Sequence, residues 1–227
     1  MNDPREITAR YDDPVNAVWL QTAARCGLDV ERSDTVFASF DGERTLLVCS
    51  EEHFDSDDCL AQMIFHELCH ALIMGATGRR SRDWGLDNVD DRDAVYEHAC
   101  HRLQATLADR YGLREVLAPT TDHRWYYDQL PSDPLAPSSD PAVELATEGW
   151  HRARHGPWSE AIQWGLRSTQ RIAEVVSVGA SPDSLWAHYR TPHRLDLPPS
   201  TAGAKCGTCA WASPVEVPGP PRCLMAD

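Results

Sequence analysis

The sequence contains no long apolar run and no excess of basic residues. No uninterrupted apolar stretch approaches the roughly 18 residues that a membrane-spanning helix needs. Lys and Arg total 21 against 35 Asp and Glu, so the formal net charge is −14. This acidic balance argues against nucleic acids and anionic membrane surfaces as partners. The first residues show no basic stretch followed by an apolar one, which predicts no signal peptide and a cytoplasmic location.

Internal repeats and low-complexity tracts are also absent from the sequence. Hydrophobic residues make up 42% of the chain and charged residues 25%, which is typical of a globular protein with one sizeable core. Cysteine, by contrast, is plentiful, with eight residues in 227. In a reducing compartment we expect these cysteines to be free thiols or metal ligands rather than disulfides.

The strongest functional signal is an H-E-x-x-H motif formed by His66, Glu67 and His70. On an α-helix, residues four apart share a face, so both imidazoles can bind one metal ion. Glu67 lies about 100° around the helix from His66, too far to bind the metal easily but close enough to act on a metal-bound water. Almost all flanking residues in the range 59–74 are apolar, which predicts a buried helix whose polar groups need a partner.

Such a motif indicates a particular chemistry. Zinc bound by two histidines and a carboxylate keeps an open coordination position and lowers the pKa of bound water to about 7. Glu67 is then placed to act as general base and to pass the proton to a leaving amine. The alternative interpretation is a pair of hydrogen-bonded core histidines, and it leaves Glu67 unexplained.

The segments before the motif predict a helix, a β-hairpin and a helix start. Residues 13–26 form an amphipathic pattern that ends before Gly27. Two β-prone runs, 35–40 and 44–49, flank Asp41-Gly42, a strong hairpin signal. The acids and serine of 55–58 are expected to cap the motif helix, which should end at Gly75 or Gly78.

The order helix, strand, strand and metal helix, together with His66, Glu67 and His70, resembles the minimal core of the gluzincin zinc metallopeptidases. The resemblance covers about residues 13–112. It implies zinc-dependent hydrolysis of a peptide or protein substrate. The wording around His70 is also similar to the SprT-like metalloproteases, but their DNA-linked substrates suit so acidic a chain poorly.

In gluzincins a second helix supplies a Glu as third zinc ligand, and residues 93–111 predict such a helix. Glu97 falls at the edge of its apolar stripe, whereas His98 and His101 fall further round, towards solvent. The resemblance therefore implies Glu97 as the third ligand, with Asp93, His98 and His101 as substitutes. Gluzincins often carry an acid at the position of His101.

The aromatic segment 118–128 follows the second helix. Its side chains include candidate donors for the oxyanion of a tetrahedral intermediate, namely His123, Tyr126 and Tyr127. Aromatic packing explains the same residues without any catalytic role.

The second half of the chain predicts a Pro-rich linker over 131–141 and a helical cover over 142–189. His151 and His155 lie four apart on this cover, a spacing that fits a metal site, but a polar helix face is the favoured interpretation. We therefore expect three parts. They are a metallopeptidase-like core (1–131), a helical extension (132–195) and a Cys-rich tail (196–227).

The tail carries the second functional signal of the sequence, a group of three cysteines, Cys206, Cys209 and Cys223. A C-x-x-C around Gly lets two thiolates bind one metal, and the third cysteine adds another ligand. The cofactor is either a second Zn²⁺ or an iron–sulfur cluster, since the spacing fits both. The alternative is loose thiols. The candidates for a fourth ligand are His193, Cys100, Cys69, Cys49 and an outside group.

Together these features predict an α+β fold in which a small β-hairpin or sheet packs on the motif helix and on a second ligand-bearing helix. The leading prediction is a zinc-dependent hydrolase, most simply a metallopeptidase. One alternative is a non-catalytic zinc-binding regulatory or scaffold protein. Another is a redox or iron–sulfur protein that acts through the tail. The sequence indicates no particular oligomeric state.

Overall fold

The computed structural model describes residues 8–87, 91–120 and 122–192, which form an α+β fold. Within these ranges there are six α-helices and a small three-stranded mixed sheet, and α1 and α2 pack against the sheet. The strands are β1 (Asp29–Ser33), β2 (Ala38–Phe40) and β3 (Thr45–Cys49). The helices are α1 (Pro14–Arg25), α2 (Leu60–Gly78), α3 (Ala94–Asp109), α4 (Arg124–Asp128), α5 (Ala142–His155) and α6 (Ser159–Val176).

The predicted hairpin is confirmed, because β2 and β3 pair antiparallel around Asp41-Gly42. Gly42 takes a φ of 86°, a left-handed value that glycine tolerates best. The Asp41 carboxylate accepts backbone hydrogen bonds from Glu43, Arg44 and Thr45 at 2.7–2.9 Å. These bonds fix the turn and with it the register in which Phe40 faces Leu46.

The third strand, β1, was not predicted from the sequence. It pairs parallel with β3, from Asp29 opposite Thr45 to Ser33 opposite Cys49, and gives the order β1-β3-β2. Its sequence, Asp-Val-Glu-Arg-Ser, is polar and half exposed, so it carries no β signal of its own. The strand conformation of β1 therefore depends on backbone hydrogen bonds to the buried strand β3 rather than on its own residue types.

Helix α2 lies at the centre of the fold, and every residue from Leu60 to Ile73 is buried. The acids of 55–58 do not cap it, contrary to prediction, because Asp58 accepts its bond from the backbone of Asp55. The cap residue is Cys59, whose N–H donates to the Gln62 side chain at 2.7 Å. The Cys59 N–H at the start of this buried helix is therefore satisfied by a side chain of the helix itself, not by the preceding acidic loop.

The helix breaks at Gly75, where φ is 65° and ψ is −149°, and ends at Gly78. The break leaves carbonyl oxygens of the preceding turn without helical partners. The Arg152 guanidinium from α5 donates to the oxygens of Leu72 and Ile73, both at 2.8 Å. A tertiary contact therefore replaces two helical hydrogen bonds.

The helical extension shares its core with the first half of the chain. Helix α5 packs on α2 and α3, and a Cβ on Gly149 would lie only 2.7 Å from Ile73 Cδ1 and 2.9 Å from Leu103 Cδ2. Ala146, Ile162 and other residues of α5 and α6 belong to the same hydrophobic cluster as α2. The extension therefore helps to bury both helices that carry the predicted site.

Within the described ranges, no helix is long and apolar enough to cross a membrane.

Candidate metal centre

The predicted ligands meet between α2 and α3. The Nε2 atoms of His66 and His70 lie 3.0 Å apart. Glu97 points between them, with Oε1 at 3.2 Å from His66 Nε2 and Oε2 at 3.0 Å from His70 Nε2. The two imidazoles are buried and the Glu97 side chain is 17% exposed. The i, i+4 spacing on α2 brings the rings together, and the packing of α3 on α2 adds the carboxylate.

Gln104 decides which nitrogen of His66 carries the proton. Its amide nitrogen donates to the Leu117 carbonyl at 2.7 Å, so its oxygen must face His66 Nδ1, 3.0 Å away. The reverse orientation would set two acceptors against each other. His66 therefore carries a proton on Nδ1, and Nε2 is the ring nitrogen that faces His70 and Glu97.

The donor set fits a divalent cation. His66 Nε2, His70 Nε2 and the Glu97 carboxylate face one another across 3.0–3.2 Å, so either a positive charge or a neutral donor such as an N–H of His70 must lie between them. Around tetrahedral zinc, bonds of about 2.0–2.2 Å set neighbouring ligand atoms about 3.3–3.6 Å apart. The observed separations of 3.0–3.2 Å are a few tenths of an ångström shorter than that spacing.

In the metal-free protein a proton supplies part of this positive charge. Burial is the largest single influence and lowers the pKa of His66, but Glu97, Glu67 and Gln104 together outweigh it and raise the pKa to about 9. Burial also disfavours the charged form of Glu97 and so raises its pKa, but the nearby His70 and His66 hold the pKa of this carboxyl well below its usual range. The pair therefore favours a positive charge at the point where the three donors meet.

His101 does not lie towards solvent, contrary to prediction. Its side chain is fully buried, and its Nε2 lies 3.4 Å from Glu97 Oε1. Burial lowers its pKa to about 4, despite the opposing effect of Glu97. The α4 segment covers this side of α3, with the Tyr127 ring edge-on to His101 at 6.0 Å. A helical wheel cannot register that cover, because it comes from a later segment of the chain.

The remaining substitutes for the third ligand have other neighbours. His98 is half-buried and stacks on Tyr126 at 3.8 Å, and Asp93 accepts the backbone N–H of Asp87 at 2.8 Å. Glu97 contacts both His66 and His70, and the donor atoms of His66, Glu97 and His101 also lie within 4.8 Å of one another.

Cys100 contacts the opposite side of His66. Its Sγ lies 3.6 Å from Nδ1 and 3.5 Å from the His66 backbone oxygen. Burial raises the pKa of Cys100 well above its ordinary value, which favours the neutral thiol. Cys100, His66 and His70 also form a group whose donor atoms lie within 4.8 Å of one another. Because His66 Nδ1 donates to the Gln104 oxygen, Nδ1 is not available to a metal. The available nitrogen is Nε2, which lies on the side of the ring away from Cys100.

Glu67 has a partner that the sequence did not reveal. The indole Nε1 of Trp84 donates to Glu67 Oε2 at 2.7 Å, and both side chains are buried. Among the described residues, none donates a hydrogen bond to the other oxygen, Oε1. One oxygen of the predicted base is therefore fixed and the other is available.

The three candidate oxyanion donors have different surroundings. The Tyr127 hydroxyl donates to the Arg114 carbonyl at 2.6 Å. The Tyr126 hydroxyl donates to Asp140 at 2.7 Å. His123 packs edge-on against His101 with ring centroids 6.5 Å apart, and its Nδ1 is buried without a hydrogen-bond partner. Both tyrosine hydroxyls are thus engaged in structural bonds.

Other predicted ligands lie away from this centre. His151 and His155 are exposed on α5, as expected of a polar face. Cys206, Cys209 and Cys223 lie outside the described residues. An exposed group of Asp34, Glu52 and His53 also has donors within 4.8 Å of one another, but it has no buried member.

A cavity of about 460 Å³ lies near the N-terminal ends of α1 and α2. Phe54, Leu117 and Trp186 contribute to its walls, and none of the proposed metal ligands does. The cavity is therefore separate from the metal centre.

Comparison of the chain with known protein families, with curated proteins and with solved structures finds no match.

Proposed function

We propose that the protein is a zinc-dependent hydrolase that cleaves peptide bonds, with a gluzincin-like arrangement of ligands. The observation that supports this most is the meeting of His66, His70 and Glu97 within 3.2 Å. Two imidazoles and one carboxylate are a common ligand set of catalytic zinc, and they leave one position open. Gln104 supports it further by fixing the His66 tautomer.

Each residue then has a defined role. When bound, zinc supplies a Lewis acid that brings the pKa of water in its open position to about 7. Glu67 Oε1 would accept a proton from the attacking water and pass it to the leaving amine. Burial of the centre excludes bulk solvent and strengthens these electrostatic interactions.

Peptide hydrolysis with and without metal tests the proposal. The protein is treated with a strong chelator, reloaded with zinc and incubated with a mixed peptide library, and cleavage is followed by mass spectrometry. We expect cleavage with zinc, none without it, and none from zinc-loaded Glu67→Gln, which loses the base but no ligand. Glu144→Gln, an exposed change on α5, is the matched control and should retain full activity.

A wild-type protein that binds zinc and cleaves nothing would contradict the proposal. That result would instead identify a non-catalytic zinc-binding protein. Activity retained in Glu67→Gln would contradict the assignment of the base.

A further inference from the structure

We propose that Trp84 is a positioning residue for Glu67, held in place by a strained turn so that its indole fixes one carboxylate oxygen. The other oxygen, Oε1, is then the only one that takes a proton. This inference rests on the proposed function, since it concerns the base of that reaction. It assigns a role to the segment 82–85, which connects α2 to α3.

The contact itself is close and enclosed. Trp84 Nε1 lies 2.7 Å from Glu67 Oε2, and the Trp84 side chain is 2% exposed. Indole is a donor only, so this bond always directs a hydrogen at the carboxylate. A hydrogen bond to a charged acceptor is stronger than one between neutral groups.

The backbone that carries the indole is unusual. Asp83, Trp84 and Gly85 take φ values of 48°, 60° and 83°, three left-handed residues in succession. Only Gly85 adopts such a value without a steric penalty from a side chain. Among the described residues, Asp83 and Trp84 are the only non-glycine residues with a positive φ. Strain of this kind persists only where surrounding contacts enforce it, and it is common at functional sites.

Contacts with β2 and α2 enforce the turn. Asp83 Oδ1 accepts from Ser39 Oγ at 2.6 Å and from the Phe40 N–H at 3.0 Å. The Trp84 ring stacks on Phe40 with centroids 3.8 Å apart and planes 6° apart. Gly78 admits the turn from the other side, because a Cβ there would lie 2.7 Å from the Trp84 carbonyl oxygen.

These contacts give the strain a consequence. A relaxed turn would release the indole from Glu67. Either carboxylate oxygen of Glu67 could then turn towards the position that Oε1 now occupies. With Oε2 fixed, Oε1 is the oxygen free to meet the water that the proposed reaction uses. Positioning of a general base within hydrogen-bond reach contributes directly to the rate.

The test compares Trp84→Phe with Trp19→Phe. Trp19 is the matched control because it is equally buried and its Nε1 donates to Thr169 Oγ1 at 3.0 Å, away from the centre. For Trp84→Phe we expect kcat to fall about 10- to 100-fold, the loss of one hydrogen bond to a charged group, with KM and zinc content unchanged. Trp19→Phe should keep kcat within about twofold of wild type.

A second readout does not depend on activity. The Trp84 indole N–H is assigned in the ¹H–¹⁵N spectrum of the zinc-loaded protein by its absence from Trp84→Phe. In Glu67→Gln we expect this resonance to move upfield and its hydrogen to exchange faster, since a neutral acceptor binds it less strongly. The Trp19 indole resonance should not change.

The outcomes separate this inference from the proposed function. An active wild type whose Trp84→Phe variant retains full kcat overturns the positioning role and leaves the hydrolase proposal intact. An indole resonance that ignores Glu67→Gln overturns the contact on which the role depends. A zinc-loaded wild type without activity overturns both proposals.

Discussion

The proton on the His66 imidazole depends on a single amide. Because Gln104 donates to the Leu117 carbonyl, its oxygen accepts from His66 Nδ1 and leaves Nε2 free for a metal. Residues that orient metal ligands in this way affect metal affinity nearly as much as the ligands themselves do. Gln104 therefore belongs to the site although it touches no proposed substrate.

We predict that Gln104→Leu weakens zinc binding about 10- to 100-fold, because His66 is no longer held in the metal-binding tautomer. Competition with a chromophoric chelator measures the affinity. Gln62→Leu is the matched control, since Gln62 is also buried and also donates to a backbone carbonyl, that of Val116. An equal loss of affinity in both variants would attribute the effect to general destabilisation rather than to the tautomer.

The His66–Glu97 pair predicts how pH affects the metal-free protein. The pKa of His66 is about 9 in the folded chain against an ordinary value of 6.5. A raised pKa means that the proton contributes stability that is fully present below about 6.5 and is lost as pH rises through about 9. We therefore expect Tm in chelator to fall between pH 7 and pH 9.5.

In the zinc-loaded protein that fall should be absent over the same range, because the metal replaces the proton on His66. Thermal scans with and without chelator measure the difference. A Tm that does not change with pH in the metal-free protein would show that the pair carries no proton.

At the scale of elements, α2 and α3 carry the candidate ligands, and α5 holds the last turns of α2. The Gly75 break releases the Leu72 and Ile73 carbonyls, and Arg152 binds both. Since α2 bears both histidines, its last turns must be held against the core for the ligand spacing to persist.

We predict that Arg152→Ala lowers the free energy of unfolding by about 2–3 kcal/mol, because it leaves two buried carbonyls without a charged donor. Arg171→Ala, an exposed change on α6, should alter it by less than about 0.5 kcal/mol. Urea denaturation of both variants measures these values. Equal stability of the two would mean that solvent satisfies the carbonyls.

The same elements show what could be predicted from the sequence. The hairpin and α1 follow from local turn and capping residues, such as Asp41 and Asp13, so they were predictable. The strand β1 depends on pairing with β3, and the burial of His101 depends on cover from α4. Such long-range contacts leave no periodic signal in the chain.

The candidate site divides in the same way. Helical spacing predicts that His66 and His70 meet, and the gluzincin resemblance added Glu97, which the structure places beside both. Trp84 was not predictable, because its contact with Glu67 arises from a left-handed turn within a polar linker. Gln104 lay within the predicted second helix, but only the position of Leu117 gives it an orientation.

At the scale of the whole molecule, the described residues place the candidate metal centre inside a shared core. Side chains of α5 and α6 join α2 and α3 in one cluster, so the helical extension does not form a core of its own. Burial of this kind is consistent with a bound metal that contributes to folding. We therefore propose that His66, His70 and Glu97 together bind one zinc ion.

Elemental analysis of zinc per chain tests this claim most directly. The Cys206→Ser/Cys209→Ser background removes two tail thiols, so that the count reports the helical centre alone. We predict one zinc per chain in this background and in its His151→Ala derivative, a change at an exposed histidine. Glu97→Ala should lose most of the metal.

Full zinc content in both His70→Ala and Glu97→Ala, each made in that background, would contradict the account. Zinc retained in Glu97→Ala but lost from His101→Ala would instead assign the third ligand to His101.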